Sequence, residues 1–268
     1  MIENPQKYKF DISTGSCNYY HDPEVYDHEF KSYSEDKRFY LNMAQSVGGP
    51  ILEIGCGTGR LMYHWVKNNL EVDGFDFNSS MLEKARNKLA TLGKKKKNLY
   101  NFFQGDMKSF KLQRRYNLIV CAFNTMMHLY DYEELDGFLK NIRLHLQNQG
   151  TFVFDILNPD FRWLMRDPDK RHGKTRFKHP HHKCWYYYTT SNYYDPEEQI
   201  AYLHIYHDPI NEKELPSYEY KLAHRIYYPQ EIKAALVRAG FKEEALFGNF
   251  SGSELQLYSP SQVYIASL

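Results

Sequence analysis

The chain has 268 residues, of which 34 are basic and 33 acidic, so its formal net charge is +1. A near-neutral chain has no global positive field to draw it to nucleic acid or to an anionic membrane surface, and we expect neither partner. No apolar run reaches the roughly 20 residues of a membrane-spanning helix. Charged residues such as Glu3 and Lys7 stand where a signal peptide would be apolar. We therefore expect a cytoplasmic protein, monomeric or homodimeric, built as one large domain or as a core with an insertion.

Aromatic side chains are concentrated in two parts of the chain. They make up 16% of the residues, with 24 tyrosines, and many lie near the N-terminus or between residues 185 and 228. Apolar residues at helical spacing predict helices over 24–33 and 35–47. Residues 1–49 are therefore predicted to form an N-terminal helical cap.

The stretch ILEIGCGTGR, residues 51–60, has the pattern of a short buried strand, a glycine-rich turn and the start of a helix. Glycine adopts positive φ and has no Cβ, so a ligand can approach the backbone closely, and the helix N-terminus offers unpaired N–H groups. The dinucleotide fingerprint G-x-G-x-x-G needs a different spacing, because Gly59 follows Gly57 by only two residues. The carboxylate of Glu53 would repel a pyrophosphate but would suit an ammonium or sulfonium group.

Acidic residues end the next two predicted strands. The strand over 70–76 ends in Asp76, which is placed to accept hydrogen bonds from ribose hydroxyls, and Phe77 is a candidate wall for adenine. A helix follows over 79–92, with Ser79 or Ser80 as its predicted cap. The third strand, over 99–104, leads into Asp106.

A fourth predicted strand, over 116–123, carries the residues from Asn124 to His128 into the cleft. Together these elements resemble the class I S-adenosylmethionine (SAM)-dependent methyltransferases, whose first motif is E/D-x-G-x-G-x-G. The resemblance is specific from about residue 49 to 158. It implies an α/β Rossmann-like core with a mostly parallel seven-stranded sheet whose last strand is antiparallel. The implied cofactor is SAM, with S-adenosylhomocysteine (SAH) as product. The implied cofactor-binding residues are Glu53, Gly55, Cys56, Gly57, Asp76, Phe77, Met81, Asp106, Met107 and Phe123.

The rest of the chain completes this core around an insertion. A helix over 133–147 and a fifth strand over 150–156 are followed by aromatic, β-rich runs over 185–194, 199–208 and 217–228, which predict a three-stranded antiparallel sheet. A helix over 230–239 and strands over 241–247 and 262–268 follow, and the family places the last strand antiparallel between the fifth and sixth. The predicted domains are the cap at 1–49, the SAM-binding core at 50–173, an antiparallel insert acting as a substrate lid at 174–228, and a core-completing segment at 229–268.

The layout resembles the bacterial sugar N-methyltransferases, which implies a small-molecule methyl acceptor with nitrogen or oxygen as the methylated atom. His128 is the candidate general base, with a hydrogen bond inside its own loop as the alternative. The candidate acceptor-binding residues are Tyr26, Tyr33, Asn124 and Arg225. The tyrosines could instead pack the cap on the sheet, and Arg225 could pair with an acid.

Other functions fit parts of the sequence. Methylation of tRNA or protein, SAM binding without turnover, and an NAD-dependent dehydrogenase are alternatives, the last disfavoured by Glu53 and Gly59. A lysine run at 94–97 is predicted to be a solvated loop. His179, His181, His182 and Cys184 are dense enough to suggest zinc, but they lack the paired spacing of structural zinc sites, and no metal is expected.

Overall fold

A computed structural model describes residues 4–12, 18–211 and 214–268. In chain order its strands are β1 (Ile51–Ile54), β2 (Val72–Asp76), β3 (Tyr100–Gln104), β4 (Tyr116–Cys121), β5 (Leu146–Leu157), β6 (His172–Lys178), β7 (Trp185–Asp195), β8 (Ile200–Pro209), β9 (Tyr218–Arg225), β10 (Lys242–Phe247) and β11 (Ser261–Ser267). Its helices are α1 (Pro23–Glu29), α2 (Glu35–Val47), α3 (Arg60–Lys67), α4 (Ser79–Ala90), α5 (Tyr132–His145), α6 (Phe161–Leu164) and α7 (Pro229–Arg238). Among the described helices none is long and apolar enough to cross a membrane.

The chain forms two compact units. The core unit comprises Ser32–Asn158 and Tyr227–Leu268, and the insert unit comprises the described residues up to Lys31 together with Pro159–Ile226. The predicted cap segment, 1–49, is therefore divided between the two units after Lys31. Its second helix, α2, belongs to the core unit.

The core unit is built on a seven-stranded sheet with the order β10-β11-β5-β4-β1-β2-β3. Strands β1 to β5 pair in parallel, whereas β11 is antiparallel to both β5 and β10. All four residues of β1 are buried, as expected for a central parallel strand covered on both faces. This topology confirms the predicted fold class, including the position of the last strand between the fifth and the sixth.

The helices beside the sheet contribute the core that supports the first strand ends. Tyr40 of α2, Met62 and Trp65 of α3 and Leu82 of α4 are completely buried and belong to one hydrophobic cluster with Val120 of β4. Helix α4 is capped by Asn78, whose side chain accepts hydrogen bonds from the backbone of Ser80 and Met81. The prediction of Ser79 or Ser80 as the cap was therefore wrong, because the residue before them supplies the acceptor.

The insert unit contains a four-stranded antiparallel sheet with the order β6-β7-β8-β9. The predicted three strands correspond to β7, β8 and β9, and the prediction missed β6. Strand β6 has the sequence HGKTRFK and five of its seven residues are exposed, so it lacks the apolar alternation that identifies a half-buried strand. Tyr19 and Val25 pack with Ile205, Tyr220 and Leu222 to form a hydrophobic cluster of this unit.

Candidate functional site

The turn between β1 and α3 depends on three glycines with positive φ: +68° at Gly55, +53° at Gly57 and +72° at Gly59. A Cβ on Gly55 would lie 2.4 Å from Cγ2 of Thr125, and one on Gly59 would lie 3.0 Å from Cδ1 of Leu89. No atom lies within 4 Å of the corresponding position on Gly57. Gly55 and Gly59 therefore let the turn pack on its neighbours, while Gly57 borders open space where a ligand can approach the backbone.

Asp76 at the end of β2 is tied to this turn. Its Oδ2 accepts a hydrogen bond from the Gly57 amide at 2.7 Å, and its Oδ1 accepts one from the Asn78 amide at 2.8 Å. Burial raises the pKa of Asp76, and the backbone hydrogen bonds oppose that rise. Each carboxylate oxygen can accept more than one hydrogen bond, so this geometry is compatible with further bonds to a ligand's hydroxyls.

Glu53 is a buried carboxyl group with an unsatisfied oxygen. It is 4% exposed, and its Oε2 has no hydrogen-bond partner. Burial raises the pKa of Glu53 to about 8, with the positive charge of Arg60 acting in the opposite direction. Oδ1 of Asn124, in the loop after β4, is also buried and lacks a partner. Two buried oxygens without partners are a reason to expect a ligand with hydrogen-bond donors.

The loop after β4 has an unusual backbone. Phe123 and Asn124 are consecutive non-glycine residues with φ of +58° and +64°. The carboxylate of Asp155, on β5, accepts hydrogen bonds from both of their amides, at 2.8 Å from Phe123 and 3.3 Å from Asn124. The hydroxyl of Tyr40 donates to the same carboxylate at 2.5 Å. The loop conformation is thus held by a buried acid from a neighbouring strand.

An arginine lies between the glycine turn and this loop. Arg60, the first residue of α3, forms a two-point ion pair with Asp36, with nitrogen–oxygen distances of 2.8 and 2.5 Å. Its guanidinium carbon lies 4.8 Å from the ring centre of Phe123 and 5.6 Å from that of Tyr33. The rings of Tyr33 and Phe123 are themselves 5.3 Å apart. The rings of Tyr33 and Phe123, both predicted site residues, therefore lie near the same guanidinium group, that of Arg60.

The other predicted cofactor residues differ in how far they are buried. Cys56 and Met81 are buried, at 3% and 2% exposure, with burial raising the pKa of the Cys56 thiol. Phe77 is 59% exposed beside Asp76. Asp106 and Met107 are half-buried after β3, and Asp106 accepts a hydrogen bond from the Lys108 amide at 2.9 Å.

His128 lies in a short 3-10 turn, Thr125–His128, that follows Asn124. Its Nδ1 is 3.3 Å from the hydroxyl of Tyr130, and its ring is half-buried. The amide of Tyr130 donates to Glu134 at 2.6 Å. A hydrogen bond inside the loop therefore exists, as the alternative interpretation of His128 proposed, and it also orients the imidazole.

The predicted acceptor residues of the insert unit are packed within that unit. Tyr26 has its ring centre 5.0 Å from that of Phe30 and 6.3 Å from that of Tyr19. Arg225 is 4% exposed and donates to the side-chain oxygen of Gln199 at 3.3 Å. A role for Tyr26 and Arg225 in acceptor binding stays a prediction.

Two histidines of the cluster at 179–184 contact side chains elsewhere in the insert unit. Nε2 of His181 lies 2.8 Å from Asp22, and Nε2 of His182 lies 2.6 Å from the hydroxyl of Tyr218. In the part of the chain that the structure describes, no group of three or more His, Cys, Asp or Glu side chains is arranged to hold a metal ion.

Comparison with known proteins shows which enzymes this chain is similar to. Residues 52–152 match the family model of a methyltransferase domain. The chain is 25% identical over 224 residues to dTDP-3-amino-3,4,6-trideoxy-alpha-D-glucopyranose N,N-dimethyltransferase of Streptomyces venezuelae, covering 79% of this chain and 83% of that protein. These similarities support a class I SAM-dependent methyltransferase that acts on a small molecule.

Solved structures show the same fold. The CcbJ methyltransferase of Streptomyces caelestis superposes with a TM-score of 0.75 at 22% identity, covering 88% of this chain and 97% of that one. A SAM-dependent methyltransferase of Clostridium acetobutylicum ATCC 824 superposes with a TM-score of 0.74 at 18% identity, covering 91% of this chain and 96% of that one. The fold of the methyltransferase therefore extends over nearly the whole chain.

The residues around the glycine turn fit the cofactor of this family. SAM carries an ammonium group, a sulfonium centre and a ribose, and the turn offers the unsatisfied Glu53, the open backbone at Gly57 and the carboxylate of Asp76. Sequence reasoning assigned no role to Asp36, Tyr40, Arg60 or Asp155. The strand-end position that identified Asp76 is shared by Asp155 and could have flagged it.

Proposed function

We propose that this methyltransferase transfers the methyl group of SAM to the amine nitrogen of an amino sugar. The observation that carries the proposal is the similarity to the Streptomyces venezuelae enzyme, a sugar N,N-dimethyltransferase by name. That alignment covers 79% of the chain, more than the core unit alone can supply, so it extends into the insert unit. A similarity confined to a common cofactor domain would say less about the acceptor.

The cofactor contacts follow from the chemistry of the side chains. In this proposal Glu53 accepts from the ammonium group of SAM, Asp76 accepts from the ribose hydroxyls and Asp106 accepts from the adenine amino group. Phe77 and Met107 flank the adenine, and Gly55 and Gly57 shape the turn on which the amino acid part lies. When bound, SAM supplies a methyl group already activated on a positively charged sulfur, so the protein needs no covalent intermediate.

The remaining task of the protein is to present a neutral amine in line with that methyl group. Orientation of two reactants can supply roughly 7–11 kcal/mol of the barrier. We propose that Tyr33 and Asn124 line the acceptor side of the core unit. We also propose that His128 takes the proton that a protonated amine must lose to become neutral. A general base of this kind contributes about 10²–10⁴-fold. The nitrogen lone pair forms the new bond to carbon, and the carbon–sulfur electrons leave with the sulfur.

Two free thiols of the core unit, Cys56 and Cys121, are buried, as is common for intracellular proteins. We propose the cytoplasm as the site of the reaction. The oligomeric state, monomer or homodimer, stays a prediction.

The proposal is tested with two acceptors that differ in one group. The purified protein is incubated with isotopically labelled SAM and either a dTDP-linked 3-amino sugar or the matching 3-hydroxy sugar, and the products are examined by mass spectrometry. We expect methylation of the amino sugar alone. Methylation of the hydroxy sugar at an equal rate, or of neither sugar while another class of acceptor is methylated, would overturn the assignment of an amino sugar.

A further inference from the structure

We propose that Asp155 is a positioning residue for the methyl-transfer site, which fixes the loop at Phe123 and Asn124 in its ligand-binding conformation. The inference rests on the cofactor site proposed above. Asp155 itself touches neither reacting atom, since its carboxylate faces the backbone of the loop and the hydroxyl of Tyr40. It acts through what the loop presents.

The backbone of the loop after β4 adopts a rare conformation. Positive φ is uncommon outside glycine, and for a bulky residue such as Phe123 it is a true outlier. Here it occurs at two successive positions, with φ of +58° and +64°. Asn tolerates this region and the Thr125 amide closes the turn by donating to the Ala122 carbonyl at 3.4 Å, but the bulky Phe123 has no preference for positive φ. Strained conformations of this kind persist only where surrounding structure imposes them, and they are concentrated at functional sites.

The group that imposes this conformation is the carboxylate of Asp155. Oδ1 of Asp155 accepts from the Phe123 amide at 2.8 Å and Oδ2 accepts from the Asn124 amide at 3.3 Å. Asp155 is 3% exposed, so solvent cannot replace it as acceptor. The hydroxyl of Tyr40, which is fully buried, donates to Oδ1 at 2.5 Å and fixes the carboxylate in turn.

This conformation places the side chains of Phe123 and Asn124 in the site. The ring of Phe123 lies against Arg60 and Tyr33, and Oδ1 of Asn124 is buried without a partner. An acceptor oxygen held in that way is prepared for a donor on a ligand. If the loop relaxed, both side chains would move, because both lie on the residues whose amides bind Asp155.

The ionisation of Asp155 gives the proposal a signature in pH. Burial raises the pKa of Asp155 to about 6, and the Tyr40 and backbone hydrogen bonds hold it down against that effect. The charge of Asp36 raises it further. The neighbouring hydroxyl of Tyr33 and thiol of Cys121 have raised pKa values and stay neutral. Asp155 becomes protonated as the pH falls through about 6. The protonated oxygen no longer accepts from a backbone amide, so the loop loses one hydrogen bond at acid pH.

The test compares two variants by calorimetric titration with SAH between about pH 5 and 7.5. In Asp155→Asn the amide NH₂ must face one of the two backbone N–H groups, whichever way it is turned. We expect SAH affinity to fall at least about tenfold at pH 7.5, as for loss of a charge-assisted hydrogen bond. The part of the affinity change centred near pH 6 should disappear, leaving the dependence set by Glu53, whose pKa of about 8 lies above this range. In Tyr40→Phe both backbone bonds remain, so affinity at pH 7.5 should stay within about threefold of wild type while the midpoint moves upward in pH.

Tyr264→Phe is the matched control. It removes a fully buried hydroxyl that donates to Gln262 and does not touch Asp155, so its pH profile should match the wild type. Wild-type affinity that is flat through pH 6, or an Asp155→Asn variant that binds SAH as the wild type does, would overturn the inference even if the enzyme methylates as proposed. If the wild type itself bound no SAH, the proposed cofactor site would fail first. Should Asp155→Asn not fold, the wild-type and Tyr40→Phe profiles decide.

Discussion

At the scale of single residues, four acidic side chains of the core unit differ in how their oxygens are satisfied. Asp36 is paired with Arg60, Asp155 has three donors, and Asp76 has two backbone donors. Only Glu53, among these four, has an oxygen without a partner. Asp36 and Asp155 are bound by structural partners. Asp76 and Glu53 border the open turn, so we expect these two groups to bind the cofactor directly.

Replacement of Asp76 by alanine should weaken SAM binding. It removes the proposed acceptor of two ribose hydroxyls, each such bond being worth about 1.5–3 kcal/mol, and we expect affinity to fall at least about tenfold by calorimetry. Asp136→Ala removes an acid that pairs with Arg238 at 2.9 Å and serves as the control, with unchanged affinity expected. Equal affinity of the two variants would return Asp76 to the class of ordinary turn residues.

Replacement of His128 by alanine should separate catalysis from binding. SAM affinity should stay within a few fold, because the proposed cofactor contacts are those of Glu53 and Asp76. Turnover of the acceptor should drop about 10²-fold if His128 takes the proton, and the pH–rate profile should lose the limb that this group sets. Tyr130→Phe, which removes only the hydroxyl beside Nδ1, should lose less. A loss below about fivefold with the limb intact would rule out the general-base role.

At the scale of elements, the glycine turn and the loop after β4 are packed against each other at Gly55 and Thr125. The sequence pattern predicted the strands of the core unit and the glycine turn, because apolar runs and glycine spacing are local signals, whereas the position of the last strand followed from the family resemblance. It did not predict the left-handed pair at Phe123 and Asn124, since the acid that holds them lies about thirty residues away on β5. Strand β6 was missed for the opposite reason, because its exposed, charged sequence has no local signal at all.

Two glycine variants separate packing from ligand access within the turn. Alanine at either site has to adopt positive φ, at a cost of about 1–2 kcal/mol. Gly55→Ala also places a methyl group 2.4 Å from Thr125, so its melting temperature should be the lower of the two. Gly57→Ala meets no protein atom within 4 Å and should instead show the greater loss of SAM affinity relative to its change in stability. Identical behaviour of both variants in thermal melts and calorimetry would contradict this division.

At the scale of the whole molecule, the two units differ in the kind of side chain they bury. Besides apolar residues, the core unit buries carboxyl groups such as Glu53 and Asp155, whereas the insert unit buries His179 and His207, at 0% and 1% exposure. Burial lowers the pKa of each of these histidines to about 4. They are therefore neutral in the folded protein at neutral pH, and their stabilising contribution depends on that state.

Acid should therefore destabilise the protein through these histidines. In the unfolded chain His179 and His207 take up protons below the ordinary histidine pKa of 6.5, whereas in the folded protein they do so only near pH 4. Stability is fully present above about pH 6.5 and is lost as the pH falls toward 4, by about 2 kcal/mol per histidine at pH 5. His207→Phe should reduce the difference in the free energy of unfolding between pH 7.5 and 5, measured with urea, by about that amount. His21→Phe, at an exposed position, should leave it unchanged, and an equal difference in all three proteins would refute the assignment.

The central claim is that the glycine turn, Glu53 and Asp76 form a SAM site rather than a dinucleotide site. Calorimetric titration of the purified protein with SAM, SAH and NAD tests it most directly. We predict saturable one-to-one binding of SAM and SAH and no heat of binding with NAD. Binding of NAD without binding of SAM or SAH would contradict the account.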